Sequence, residues 1–553
     1  MINAKKELSF MHYNKMTSKI VLFSISVASF LLGAFAEAQE ATVPSMNVIY
    51  HPVSTENAEA QKYFDEGLTS IYAFNHDEAY RYFEKAAELD PNLGMAYWGM
   101  ALALGQNINR DVTPENEIKA YNLIQKAIKL STFAPDYEQA YINALAKRYT
   151  NDPDADFVPL RYTYRNAMKK LMEHYPEDLD AATLYTESIL DLDPWKYWSK
   201  DGVPSRDILE AINVLESVLR RAPDHIGANH YLIHAYEESP YPERALMSAH
   251  RLETLLPASG HLLHMPSHIY ILVGDYDKAV ASGKKAIQAD RNYMSKEGSG
   301  GYYPFHYLSH NLIVLTRVYM LLENYENALK TARELEAFVN NHNSTDPHTL
   351  NYQVVPLELS LYFHKWDDLI KNPGPKSQEP FIQAYWHFSR SMAFANQGDY
   401  ESAEKEKSIM LQLKDKIPGD WSFRNNPGSK VFDLAHPLLN AAIAKAKNQS
   451  KERIRFLHQA VQVEDSLNYD EPPVWYIPSR LSLGAALLQE KQYSDAEDIF
   501  RDALRHLARN GRLLFGLHQS LQRQGRPVDS FWVEREMQDA LKHSDISLSI
   551  PDL

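Results

Sequence analysis

Apolar and small residues recur at helical spacing along most of residues 60–525, and no stretch alternates convincingly with a period of two. The pattern predicts short antiparallel helices joined by tight turns. It is clearest over Gln61–Pro91, where Gly67 and Ala79 predict a close approach of two helices. Phe83 fills the gap between them, Ala86 follows on the same face, and Pro91 stops the second helix. Arg480–Ala508 repeats the layout with Gly484, Ala496, Phe500 and Ala503. One such pair cannot bury its apolar face alone, so neighbours must stack on it. A fixed period links two of the units: His230 and His234 are followed 34 residues later by His264 and His268.

The same reading divides the rest of the chain. Met95–Leu130 forms a second unit with a loop near Gln106–Thr113, and Asp136–Tyr149 with Phe157–His174 a third. Leu179–Leu192 is a further first helix, followed by an aromatic insertion with Trp195, Tyr197 and Trp198, and Ile208–Arg221 closes that unit. After the two histidine-bearing units come a glycine connector at Gly298–Gly301, a helical stretch over Pro304–Val339 and a polar linker at Asn340–His348. The C-terminal third is less regular, and Arg512–Gln524 and Asp529–Lys542 cap it. Roughly nine to eleven helical pairs are expected, in an N-terminal array over 39–340 and a C-terminal array and cap over 341–553.

The first 38 residues read as a targeting segment. Lys15 and Lys19 precede an apolar run from Ile20 to Phe35, and Ala36-Glu37-Ala38 supplies a small-x-small cleavage pattern. That predicts an exported chain, periplasmic or secreted, with no membrane span once the segment is removed. The chain has no cysteine, which excludes disulfides, thiolate metal sites and cysteine nucleophiles. Its formal charge is −15, and removing the +2 of residues 1–38 leaves −17. So acidic a surface argues against nucleic acid and anionic membranes as partners.

These features together resemble the exported bacterial tetratricopeptide repeat proteins. The stretches that carry the resemblance lie at 74–109, 229–246 (NHYLIHAYEESPYPERAL), 260–279 (GHLLHMPSHIYILVGDYDKA), 302–311 (YYPFHYLSHN) and 469–488 (YDEPPVWYIPSRLSLGAALL). The histidine stretches resemble a distinctive subgroup with no settled role. The resemblance implies an all-α fold, an α-α superhelix of stacked helical hairpins. It also implies that positions 2, 5, 9 and 12 of each first helix line the concave groove. His230 and His264 then fall at position 5, His234 and His268 at 9, His261 at 2, Glu237 at 12, and Glu187 at 9 of the preceding repeat. Aligning the following unit on Ala328 puts His310 at position 2, beside His261, and His306 before the helix start.

Residues four apart share one helix face, so each His-x-x-x-His pair can present two imidazoles to one ion. The candidate metal ligands are His230, His234, His264, His268, His306, His310 and His261. Two sets of three would suit a dinuclear site. An all-nitrogen donor set favours copper or zinc, while Asp or Glu nearby would admit iron or manganese. Pro266, between His264 and His268, predicts either a helix that starts near Leu263 or a kinked one. The competing reading is a polar, aromatic groove that binds a protein or peptide partner without metal. An enzyme, a metal-dependent hydrolase or oxidase, is a third reading, with Glu237 or Glu187 as general base. Trp195, Tyr197, Trp198, Tyr302 and Tyr303 could line its pocket, although packing is the expected role of the first three. The run at 472–476 is expected to be a rigid turn, His76 to cap a helix or bond backbone, and His51, His174, His342 and His506 to be surface or satisfied core.

Overall fold

A computed structural model describes residues 49–298, 302–341 and 350–553. Residues 1–48, where the targeting segment is expected, most of the glycine connector and most of the polar linker, with His342, lie outside the described residues. Among the described residues twenty-four α-helices pair into twelve antiparallel hairpins, one more than the sequence suggested. Sheet there is confined to a two-residue hairpin, Ser422–Phe423 with Asn426–Pro427. The architecture is an α-α superhelix. No described helix is long and apolar enough to cross a membrane.

Six helices matter for the site. α1 spans Ala58–Tyr72 and α2 His76–Leu89; α7 spans Leu179–Leu190; α9 spans Ile226–Glu237, α11 Gly260–Leu272 and α13 Tyr302–Leu321. Side-chain caps start many of the helices: Asn57 accepts from the backbone N–H groups of Glu59 and Ala60, Asp178 from those of Asp180 and Ala181, and Ser259 from that of Leu262. First helices end in a recurring turn whose last carbonyls are satisfied by bonds such as Asp275 N to Tyr270 O (2.8 Å) and Gln492 N to Leu487 O (2.9 Å). The turn needs one left-handed residue. Glycine supplies it at Gly274, Gly398 and Gly525, whereas Phe74, Glu323, His364, Asn448 and Lys491 occupy it at φ 55–63°.

The packing logic read from Gln61–Pro91 is what the structure shows. A Cβ on Gly67 would stand 2.7 Å from the Phe83 ring, and one on Gly484 2.5 Å from that of Phe500. Sequence-distant elements also meet. Arg81 Nη2 donates to Tyr293 Oη (3.1 Å), Tyr276 Oη to the Ala508 carbonyl (2.7 Å), and Arg317 Nη1 to the Tyr476 carbonyl (2.7 Å). Arg512 and Glu323, both buried, form an ion pair at 2.8 Å.

Gly484→Ala should destabilise the chain by about 1–3 kcal/mol through overpacking against Phe500. Chemical denaturation reads the effect, and adding Phe500→Leu should recover part of it, since the two sites are in contact.

Candidate metal centre

Helices α9, α11 and α13 bring six of the seven candidate histidines together. They form two triads, His230 with His234 and His261, and His264 with His268 and His310; in each, one ligand atom per residue lies within 4.8 Å of the others. Five of the six are buried, and His310 is partly exposed. In the first triad His230 Nε2 stands 3.0 Å from the Nε2 atoms of both His234 and His261. In the second, His264 Nε2 stands 2.5 Å from that of His268 and 3.0 Å from that of His310. All six rings therefore turn Nε2 inward.

The outward nitrogens explain why. His230 Nδ1 lies 2.7 Å from the Tyr72 carbonyl, an acceptor only, so it carries the proton and donates. His234 Nδ1 donates to Glu237 Oε1 at 2.6 Å, and His268 Nδ1 donates to Glu237 Oε2. One carboxylate thus fixes the tautomer of a histidine in each triad. In their neutral forms His230 and His234 both aim a lone pair inward, at each other. A shared proton relieves one such contact, but His230 Nε2 faces two. Three nitrogens bound to one ion at about 2.0–2.1 Å would stand about 3.3 Å apart in tetrahedral geometry, close to the spacing seen.

The electrostatics disfavour a charge on three of the rings. Burial, then the neighbouring imidazoles, hold His230, His261 and His264 well below the usual imidazole value. Burial also pulls on His268, but Glu237 outweighs it and leaves that ring raised. Burial would raise Glu237; His234 and His268 instead hold it at about 2. A carboxylate so held, with both oxygens accepting, is a positioning residue rather than the general base the sequence allowed.

Aromatic rings wall the first triad. Phe74 lies over His230 (ring centroids 4.5 Å apart), His234 (5.7 Å, 17° between planes) and His261 (5.4 Å, 23°). Trp195, also left-handed at φ 62°, meets His234 edge-on at 5.6 Å, and Tyr307 packs on His261 at 4.6 Å. The aromatic insertion is fastened to the end of α9: Glu238 accepts from the Tyr197 and Trp198 backbone N–H groups, and Trp198 Nε1 donates to the Ala235 carbonyl (2.8 Å). Tyr469 stacks on Trp195 at 6.4 Å. Two residues on, burial pushes the Glu471 carboxyl up to about 7, with His268 opposing and Glu237 adding to the rise. Its Oε1 has no hydrogen-bond partner.

Several expectations need correcting. His310 joins His264 and His268, not His261, and His306 belongs to neither triad. The alignment on Ala328 keeps its register, since the turn bonds Asp275 N to Tyr270 O and Asn324 N to Tyr319 O stand in the same relation to Ala279 and Ala328; a histidine at position 2 instead reaches position 5 of the preceding repeat, His261 meeting His230 and His310 meeting His264. Helix α11 starts at Gly260, not Leu263, and Pro266 lies inside it. Glu187 is buried but stands with Asp191 and Arg148, and burial and then Asp191 raise it. The histidines do not line an open groove, because Phe74, Trp195 and Tyr307 cover them. Other expectations hold: His174 and His506 are exposed, and His76, beside Asn107 (3.2 Å), bonds the Ala103 backbone, while Asn75 rather than His76 caps α2; His261 N donates to Tyr303 Oη (3.3 Å). Phe74, Tyr307, Tyr469 and Glu471 were missed. No local motif marks them.

His51 falls in the core, beside Asp178 and Asp180, as a third cluster with metal-ligand side chains. Here the carboxylates already have donors. Asp180 accepts from His51 Nδ1 (2.8 Å) and from Tyr72 Oη (2.8 Å), with His225 Nε2 at 3.3 Å, while Asp178 caps α7 and accepts from Tyr141 Oη. The network anchors Tyr72, whose carbonyl orients His230.

A tetratricopeptide repeat model matches residues 60–93 and 261–293. No curated protein matches the sequence. Among solved structures the chain is similar to yeast Tom70, at 14% identity over 87% of this chain and 99% of that one, with a TM-score of 0.34. It is also similar to human IFIT1, solved as a dimer with m7Gppp-AAAA, at 13% identity over 88% and 91% of the two chains (TM-score 0.32). A third likeness is to the Cut9–Hcn1 hetero-tetramer of APC/C, at 13% identity over 94% and 82% (TM-score 0.29).

Glu237→Ala should strip two buried imidazole N–H groups of their acceptor. Metal-free protein should lose about 2–5 kcal/mol of stability in urea unfolding, whereas His306→Ala should lose under about 1 kcal/mol.

Proposed function

We propose that this chain is a tetratricopeptide-repeat scaffold that holds a dinuclear transition-metal centre inside its superhelix. The observation that carries the reading is the convergence of six Nε2 atoms in two triads, with Nδ1–H of His230, His234 and His268 tied to fixed acceptors. Lone pairs so aimed, in a buried site where His230, His261 and His264 resist protonation, call for a cation. Both Glu237 oxygens are engaged by imidazole N–H groups, so the donor set is nitrogen alone. That supports copper or zinc over iron or manganese.

The exported location belongs to the same proposal and draws on the apolar run and cleavage pattern within residues 20–38. The division near residue 340 is likewise a proposal, drawn from the polar linker. Repeat arrays of this kind offer extended surfaces for protein partners, so a scaffold with a protein partner fits alongside the metal. A defined partner retained after chelation, on protein that carries no metal, would favour the plain binding module instead.

Metal analysis of protein made without a histidine tag tests the reading. About two equivalents of copper or zinc should be retained after desalting. His234→Ala or His268→Ala should each leave about one, while His306→Ala keeps both. Less than about a tenth of an equivalent, with none gained on titration, sinks the proposal. Chelation of the loaded protein should lower its thermal midpoint, because a ligand bound only to the folded state stabilises it by mass action.

A further inference from the structure

We infer that the centre is a dicopper site whose ligand is dioxygen, an inference that rests on the metal reading above. Two features of the site point to copper. Each triad offers three imidazole nitrogens and no carboxylate, a set that three-coordinate copper(I) accepts, whereas zinc would call for a fourth ligand such as water. Phe74, Trp195 and Tyr307 wall the first triad and keep out the water that would be that fourth ligand.

Dioxygen follows from how the triads face each other. Across the triads, His234 and His268 have ring centroids 6.5 Å apart, and His261 and His264 6.4 Å. Within the first triad the largest separation is 6.3 Å, and within the second 5.9 Å. The two sets are therefore nearly continuous, with every Nε2 turned inward. Two ions held by them would sit within the few ångströms, about 3.5–4 Å, at which paired metals act on one ligand. A two-atom molecule bridges that gap. Burial selects for the same size: of the six ligands only His310 is partly exposed, so small diffusible molecules reach the centre from its side.

The step balances without another reactant. Each copper(I) gives one electron and becomes copper(II). Dioxygen takes both, its double bond is reduced to the single O–O bond of peroxide, and the peroxide bridges the two ions. No proton is taken up, and the reverse transfer releases dioxygen.

The full chain, freed of metal, is loaded anaerobically with copper(I), desalted and analysed for copper, then exposed to dissolved oxygen. Expected are two equivalents of copper, uptake of about one dioxygen per two copper ions at an oxygen electrode, and an intense near-ultraviolet charge-transfer band. The oxygenated form should be silent in electron paramagnetic resonance, since the two copper(II) ions share a bridge, and deoxygenation should reverse the band. His310→Ala should keep about one copper and lose oxygen uptake entirely, while His306→Ala keeps both. Two copper ions bound with no oxygen uptake, or oxidation to the resonance signal of isolated copper(II), overturns the dioxygen inference and leaves the metal reading standing. Failure to bind copper overturns the inference; failure to bind any metal overturns both.

Discussion

The site depends on where two imidazole protons go. Glu237 accepts from His234 Nδ1–H with one oxygen and from His268 Nδ1–H with the other. Those two histidines sit on different helices, in different repeats. The carboxylate therefore couples the tautomers of the two triads and sets the orientation of α9 against α11 at one point. Without it each ring could turn, and inward lone pairs would no longer be the low-energy arrangement in a buried space. Tyr72 does the same for His230 through its carbonyl, and its own hydroxyl is fastened to Asp180. The metal-facing geometry is thus held from outside, by acceptors that never face the ion.

Those acceptors come from far apart in the chain, and that explains how the interior is filled. In an open solenoid each repeat touches only its neighbours and the concave face stays wet. Here Phe74 from the first hairpin, Trp195 from the insertion and Tyr469 from the C-terminal half all reach the same region. Arg317 and Arg424 hold the covering segment by its backbone, Arg317 through the Tyr476 carbonyl and Arg424 through those of Pro472 and Pro473. The insertion after α7, which breaks the repeat period, supplies part of that cover.

Most of the scaffold was legible because repeat physics is local. Gly67 facing Phe83, and Gly484 facing Phe500, follow from residue size at fixed offsets, and the 34-residue return of the histidine pairs located α9 and α11. The register of His310 held, and what failed was the step from register to neighbour. His306 and His310 are four apart like the other pairs, yet only His310, at the position of His261, reaches back to a histidine of the preceding repeat, while His306 lies one turn earlier on α13. Glu237 was readable as a groove-facing carboxylate but not as a double acceptor, since that role needs the neighbouring helix in place. Phe74 and Glu471 carry no local signal at all. Their nearness to the histidines arises from contacts between repeats hundreds of residues apart, which no period encodes.

The buried pairing of Arg512 with Glu323 has a consequence for how the molecule comes apart. Arg512 also donates to the Asp552 carbonyl, and the backbone N–H groups of Tyr325 and Glu326 donate to Asp545, so the chain's last residues are bolted to its middle. A linear array frays from its ends, one hairpin at a time. Here peeling away the hairpin that carries Arg512 leaves Glu323 buried and unpaired, so losing that hairpin costs more than its own packing.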